Sequence, residues 1–238
     1  MAAPASSPRA RYREQTRAEI KAVALRHLAQ GGASAVALTH VAKEVGLSGP
    51  ALYRYFASRD DLVNALVRDA YDDATAAVLE AADGLSGEPA TALRQLADAY
   101  LDWAVAEPHR YLLIQGTPIP GYAAPPDTVG RARAVMGPFV KVFVAGRPTG
   151  AVQPIVDEMA AWVLKDAAAA AWLREQTGLD PDDARAGTAL AGQVLAWSHL
   201  HGTVGLEVSG QYAGMGHSAR ALLRGQMTML AAAFRLDG

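Results

Sequence analysis

The sequence predicts an all-α fold: an N-terminal three-helix helix-turn-helix module followed by a larger helical body. Three observations carry this expectation. The chain is rich in alanine and poor in β-branched alternation, which favours helix over strand. Apolar residues recur at three- and four-residue spacing through most of the 238 positions. Gly and Pro clusters cut that pattern into helix-length pieces.

Taken in order, residues 1–12 carry Ala, Ser, Pro and Arg and read as a disordered tail. A first helix is expected over about 13–30, burying Ile20, Val23, Ala24 and Leu28 and stopped by Gly31-Gly32. Leu38, Val41, Ala42 and Val45 make one face of a second helix over 38–45. Gly46 follows where a helix end wants positive φ. Ser48 then offers a cap oxygen, Pro50 is tolerated in a first turn, and a third helix runs over 49–56. Ser58 and Asp61 form a capping box for a fourth helix reaching Ala82, with Arg59 in its first position. Further helices are expected over 88–106, 108–115, 127–145 (kinked at Gly137-Pro138), 154–176, 182–209 and 216–235, and a Pro-rich loop over 116–126. The expected domains are thus a tail at 1–12, a helix-turn-helix module at 13–57, and a helical body at 58–238.

Helix, tight turn, helix at this spacing is the arrangement that lays its second helix in a DNA major groove. The charge distribution agrees. Residues 1–60 hold nine Lys and Arg against four Asp and Glu, a surplus of five. Since the whole chain is at −2, the remainder carries −7. A basic module on an acidic body is the footprint of a nucleic-acid binder with a separate second function. In the third helix Gly49, Pro50 and Ala51 offer backbone and apolar contacts, and Arg54 can fork onto guanine O6 and N7. Tyr53 and Tyr55 suit phosphate oxygens, as does Arg59 at a helix N-terminus. Thr39, His40 and Ser48 are lesser polar candidates. The competing reading, packing of a small core, is preferred for Leu52 and Phe56 and stays open for Tyr55.

The stretch from Ser48 to Phe56 (Ser-Gly-Pro-Ala-Leu-Tyr-Arg-Tyr-Phe), followed by Ser58-Arg-Asp-Asp-Leu-Val-Asn-Ala-Leu66, resembles the DNA-binding half of the tetracycline-repressor (TetR) family. That pattern is Ser, three variable residues, Leu-Tyr, a variable residue, His or Tyr, and Phe, with Lys or Arg and an acidic residue soon after. The resemblance covers roughly residues 13–68. A second one, at Trp197-Ser-His-Leu-His-Gly-Thr-Val-Gly-Leu-Glu207, is similar to the Trp-His-Gly motif of one subgroup's C-terminal domain. Four positions depart from the pattern. Ala37 stands where a Ser or Thr cap is common, Thr39 where an Arg often reaches DNA, and Gly49 and Ala51 are small where others carry longer side chains. The resemblance implies a dimeric cytoplasmic regulator on a near-palindromic operator, a repressor released by a small-molecule effector, with activation as the alternative.

In the body, Trp103, Tyr111, Phe139, Phe143, Trp162, Trp197 and His201 are candidates for lining an effector pocket between helices, with ordinary core packing as the alternative for each. An uncharged or weakly cationic, largely apolar effector is expected. Leu190, Val194, Trp197, His201, Val204 and Val208 advance by four and three along the penultimate helix. Leu195, Gly202 and Leu206 lie off that stripe, so the helix is apolar on two faces, one for the body and one for a second subunit. Leu222 and Met229 mark the partner face on the last helix, and the expected homodimer interface is Leu190, Val194, Val204, Val208, Leu222 and Met229.

Other functions find little support. No cysteine is present, which removes thiolate metal sites and fits a reducing compartment. His199 and His201 point about 200° apart on a helix and cannot share a metal. No Gly-rich phosphate loop or Gly-x-Ser-x-Gly elbow occurs, so no cofactor and no catalysis are expected. No apolar run reaches the roughly 20 residues of a membrane span, and the start lacks a signal-peptide layout. The rival is a helical ligand-binding protein or enzyme whose N-terminal module is not used for DNA.

Overall fold

The computed structural model describes residues 7–32, 35–85, 87–115 and 122–237. These form eleven α-helices and no strand among the described residues. The helices are α1 (Pro8–Gly31), α2 (Leu38–Val45), α3 (Gly49–Leu52), α4 (Arg59–Asp83), α5 (Pro89–Ala106), α6 (Pro108–Gln115), α7 (Thr128–Val142), α8 (Gln153–Val163), α9 (Ala167–Thr177), α10 (Ala186–Val208) and α11 (Ala219–Ala233). None is long and apolar enough to cross a membrane. The chain divides into two compact units, residues 1–70 with 109–126 and residues 71–108 with 127–238.

In the first unit the helix-turn-helix closes as its sequence dictates. Gly46 is left-handed, at φ 75° and ψ 22°. The Leu47 amide reaches back to the Ala42 carbonyl at 2.9 Å, so the end of α2 is capped by the chain that leaves it. Ser48 Oγ accepts from the Ala51 amide at 3.3 Å and starts α3. Ile20, Val23, Ala24 and Leu28 of α1 are buried, with Val36, Val41, Leu52, Phe56, Leu62 and Val63. Glu44 ties α2 to α1: Arg26 Nη2 is 2.6 Å from one carboxylate oxygen and His27 Nε2 is 2.8 Å from the other. Those hydrogen bonds, from Arg26 first and then His27, hold the Glu44 carboxyl below its ordinary range.

Two boundaries in this unit differ from expectation. α1 starts at Pro8, not near 13, because Ser7 Oγ accepts from the Ala10 amide at 3.2 Å and Pro8 opens the first turn. Residues 8–12 are therefore helix, capped by Ser7, rather than tail, while 1–6 lie outside the described residues. α3 is α-helical over Gly49–Leu52, and residues 53–56 continue as a tighter turn, with Tyr55 N–H on Leu52 O at 2.8 Å. Two arginines of α1 take the freed carbonyls: Arg17 donates to Tyr55 O at 2.8 Å and Arg13 to Arg54 O at 3.4 Å. Arg17 also lies 4.1 Å from the Phe56 ring centroid. At α4 the expected box is shifted by one residue. Ser58 Oγ caps the Asp61 amide, but the Asp61 carboxylate accepts from the Ala57 amide at 3.0 Å, one position earlier.

The second unit is built around α10, which packs on α5, α7, α8 and α11. Small residues make those approaches possible. A Cβ on Gly187 would sit 2.6 Å from the Val156 carbonyl oxygen of α8, and one on Gly192 would enter the Phe143 ring. Phe143 and Phe234 meet edge to face at 5.1 Å. Amides of Arg147 and Thr149 donate to the carbonyls of Phe234 and Ala233, which closes the end of α11. Asp98 of α5 receives Arg220 at 3.1 Å and Arg224 at 2.7 Å from α11. The single helix expected over 154–176 is two helices. Asp166, at ψ 100°, leaves the helical region and caps α9 by accepting from Ala169 N–H at 2.9 Å. Pro138 is carried inside α7, which then tightens into a 3-10 turn at Phe143–Ala145. Of the expected loop at 116–126, residues 116–121 lie outside the described residues, and 122–126 are not helical.

Candidate nucleic-acid interface

Burial sorts the residues proposed for DNA contact. Thr39, His40, Ser48, Pro50, Tyr53 and Arg54 are exposed, while Leu52 and Phe56 between and beside them are fully buried. The short α3 thus spends two apolar side chains on the core and turns Pro50, Tyr53 and Arg54 outward. Gly49, Ala51 and Tyr55 are half-buried. Tyr53 keeps 54 % of its surface in solvent, unusual for an aromatic residue with no partner to cover it. Outward-facing hydroxyl, phenol and guanidinium groups at the end of a helix-turn-helix can hydrogen-bond base edges and phosphates together.

Arg59 differs from the other candidates. It is half-buried, and its Nε donates to the Val36 carbonyl at 2.9 Å, with Nη1 3.4 Å from Asp60. It therefore fastens the start of α4 to the segment leading into α2. Replacing Arg59 by Ala should strip that carbonyl of its charged partner and cost about 1–2 kcal/mol of stability. A thermal melt separates this from a pure DNA contact. Arg59→Ala should lower the midpoint and Arg54→Ala should not; equal midpoints would leave Arg59 without a structural role. Arg13 and Arg17 were not among the expected site residues. Their i, i+4 spacing on one face of α1 was the available signal.

The proposed pocket residues do not gather at one place. Trp103 and Trp197 sit around Tyr100, with ring centroids 5.6 and 5.8 Å from it, and His201 stacks on Trp197 at 5.2 Å. Burial lowers the pKa of His201 from its ordinary value, which favours the neutral ring. Phe139 and Phe143 are fully buried in the core, Trp162 is 38 % exposed on α8, and Tyr111 is buried in the other compact unit. Phe139, Phe143 and Tyr111 are packed inside their units rather than exposed. None of the seven lines the hollow of about 860 Å³ found in the larger unit. Its wall is apolar (Leu79, Leu85, Pro138, Val142, Val144), and Asp83, Lys141, Arg147 and Arg185 contribute charge. Arg185 is already forked onto Asp183, whose carboxyl it pulls down to about 2.

Burial also sorts the residues expected at the subunit interface. Leu190 and Val204 are buried in their own chain, where Leu190 belongs to the core with Val140, Leu173 and Ala186. Val194, Val208 and Leu222 are half-buried, and Met229 is 65 % exposed. The face of α10 left open is the one off the expected stripe: Ser198, Gly202 and Leu206. On α11, Ala221, Gly225, Met229 and Ala232 are open.

An all-helical chain whose N-terminal helix-turn-helix exposes polar and basic side chains is a DNA-binding protein of the helix-turn-helix class. Comparison with known proteins places it further. Residues 20–66 match the family described as bacterial regulatory proteins, tetR family, and residues 93–230 match the tetracyclin repressor-like C-terminal domain. The chain is 36 % identical over 202 residues to the HTH-type transcriptional regulators Mb1846 of Mycobacterium bovis and Rv1816 of Mycobacterium tuberculosis, covering 84 % of this chain and 83 % of theirs. Among solved structures it is similar to the regulatory protein SCO4313, with a TM-score of 0.78 and 37 % identity over 95 % of this chain and 100 % of that one. The chain belongs to the TetR family, and it is a DNA-binding transcriptional regulator.

Proposed function

We propose that the chain is a repressor that binds a near-palindromic operator as a homodimer in the cytoplasm and leaves it when a small molecule is bound. Residues 13–57 read DNA, and residues 58–238 hold the effector and the second subunit. Thr39, His40, Ser48, Gly49, Pro50, Ala51, Tyr53, Arg54 and Tyr55 form the reading surface, with Arg59 behind it. The observation that carries this reading is the outward display of Tyr53 and Arg54 over a fully buried Leu52 and Phe56.

Dimerisation is supported by the small-residue and apolar faces left open on α10 and α11. Gly202 and Gly225 have open space where a Cβ would be. Two copies of such a helix pair can approach closely into a four-helix contact. Met229 and Leu206 would supply most of the apolar area. A dimer reading half-sites one turn of DNA apart would need its recognition helices about 34–36 Å apart. For the effector, the apolar wall of the larger unit's hollow favours a largely apolar small molecule, within the uncharged or weakly cationic class expected from the sequence. A ligand displaces the operator only by its preference for the state that does not bind DNA, and the operator must weaken ligand binding by the same factor.

Selection of bound duplexes from a random pool tests this reading. Two inverted half-sites are expected. A single unsymmetrical motif would contradict the dimer, and an unenriched pool would contradict sequence reading altogether.

A further inference from the structure

We propose that the first turns of α1 form a second DNA-contacting surface, in which Arg9 and Arg13 hold operator phosphates flanking the bases that Arg54 reads. The proposal rests on the regulator reading above and extends it to residues outside the helix-turn-helix. Because α1 begins at Pro8 under a Ser7 cap, Arg9 and Arg13 lie four residues apart on one helical face. The Arg13 side chain reaches the Arg54 carbonyl at 3.4 Å, which brings the start of α1 alongside the end of α3. Arg9, Arg13 and Arg54, with Ser7, Tyr12 and Tyr55, line an open notch of about 540 Å³. That lining contains three guanidinium groups and no carboxylate.

Several arginines elsewhere meet carboxylates: Arg26 meets Glu44, Arg131 meets Asp127, Arg185 meets Asp183 and Arg224 meets Asp98, whereas exposed Arg11 and Arg235 form no ion pair among the described residues. Among the described residues, Arg9, Arg13 and Arg54 form no ion pair. Three like charges held together without a counter-charge repel one another, and an arriving polyanion relieves that repulsion. Tyr12 is 69 % exposed beside them, and its phenol can donate to a phosphate oxygen. The notch is open and has no enclosed donor cage, so a single small anion would be held weakly. A duplex brings a row of phosphates, and it is already seated by α3 next to Arg54. Guanidinium forks suit phosphate oxygens, and such contacts fix position and add affinity without reading sequence.

The test uses the full chain with Arg9→Ala and Arg13→Ala together, titrated at several salt concentrations onto the selected operator and onto a scrambled duplex. The log affinity against log salt slope should flatten by about 1.8 for each protomer bound, since each lost phosphate contact removes about 0.9. Affinity for both duplexes should fall together by about tenfold or more, and the selected base pattern should not change. The pair Arg9→Lys and Arg13→Lys keeps the charges and should restore most of the slope. Trimming the operator's flanks should weaken the wild type and leave the alanine pair unaffected. An unchanged slope, or an alanine pair as sensitive to trimming as the wild type, overturns the proposal. Failure of the regulator reading looks different: the wild-type chain would then select no duplex at all, and both would fall.

Discussion

Alanine at both Tyr53 and Arg54 is expected to lower affinity for the selected operator by about 10²–10³-fold while leaving the fold intact. Arg54 is the exposed side chain of the α3 turn that can fork onto a guanine edge, and such a contact is worth about 1–3 kcal/mol against the wrong base. A dimer uses it twice, so the loss compounds across the two half-sites. Tyr53 adds a phosphate or base contact from a ring that is 54 % exposed. Neither side chain fills the core, because Leu52 and Phe56 do that, so stability should stay within about 0.5 kcal/mol. Titration onto the operator and onto a scrambled duplex measures both halves of the claim. Specific binding should collapse toward the non-specific level, and selection with the single variant Arg54→Ala should relax one position per half-site. A double variant that binds the operator as the wild type does would remove α3 from base recognition.

The second large effect concerns the body. Gly192→Leu should cost about 3 kcal/mol or more, enough to threaten folding, because the added Cβ enters the Phe143 ring. The ring has little room to yield: Phe143 is fully buried and pressed edge to face on Phe234. Helix propensity points the other way, since leucine is favoured over glycine in a helix by about 1 kcal/mol. Packing outweighs it here. Gly130→Ala in α7 is the matched control. Nothing lies within contact of its added Cβ, so it should be neutral or stabilising by up to about 1 kcal/mol. Thermal or urea denaturation of the two variants decides the matter. Equal stability would mean that the core around α10 is looser than the contact of Gly192 with Phe143 implies.

Much of this was legible before any coordinates. The i, i+3, i+4, i+7 face from Leu38 to Val45, the positive-φ glycine at 46 and the Ser48 cap are local signals, and α2 runs over Leu38–Val45 as expected. The helix ends near Ala82 and before Pro108 are local too, with α4 ending at Asp83 and α5 at Ala106. Signals that depend on what a side chain meets were harder to read. The Asp166 cap splitting α8 from α9 was hidden in an alanine-rich run that favours helix throughout. Ser7-Pro8 resembles a tail in composition, yet it caps a helix.

By itself, the sequence determined the all-α class and the helix-turn-helix, because periodicity, caps and turn glycines act over a few neighbouring residues. Tertiary structure alone decided which apolar face is inside. Leu190 and Val204 repeat as regularly as an interface stripe would, but they are buried in their own chain, while Gly202, Leu206 and Met229 are left open. It also decided that Phe139 and Phe143 are fully buried and that Arg59 holds a backbone carbonyl. The reason is physical. Helical spacing says that a face is apolar, but burial depends on which distant segment arrives to cover it, and that is a property of the folded chain as a whole.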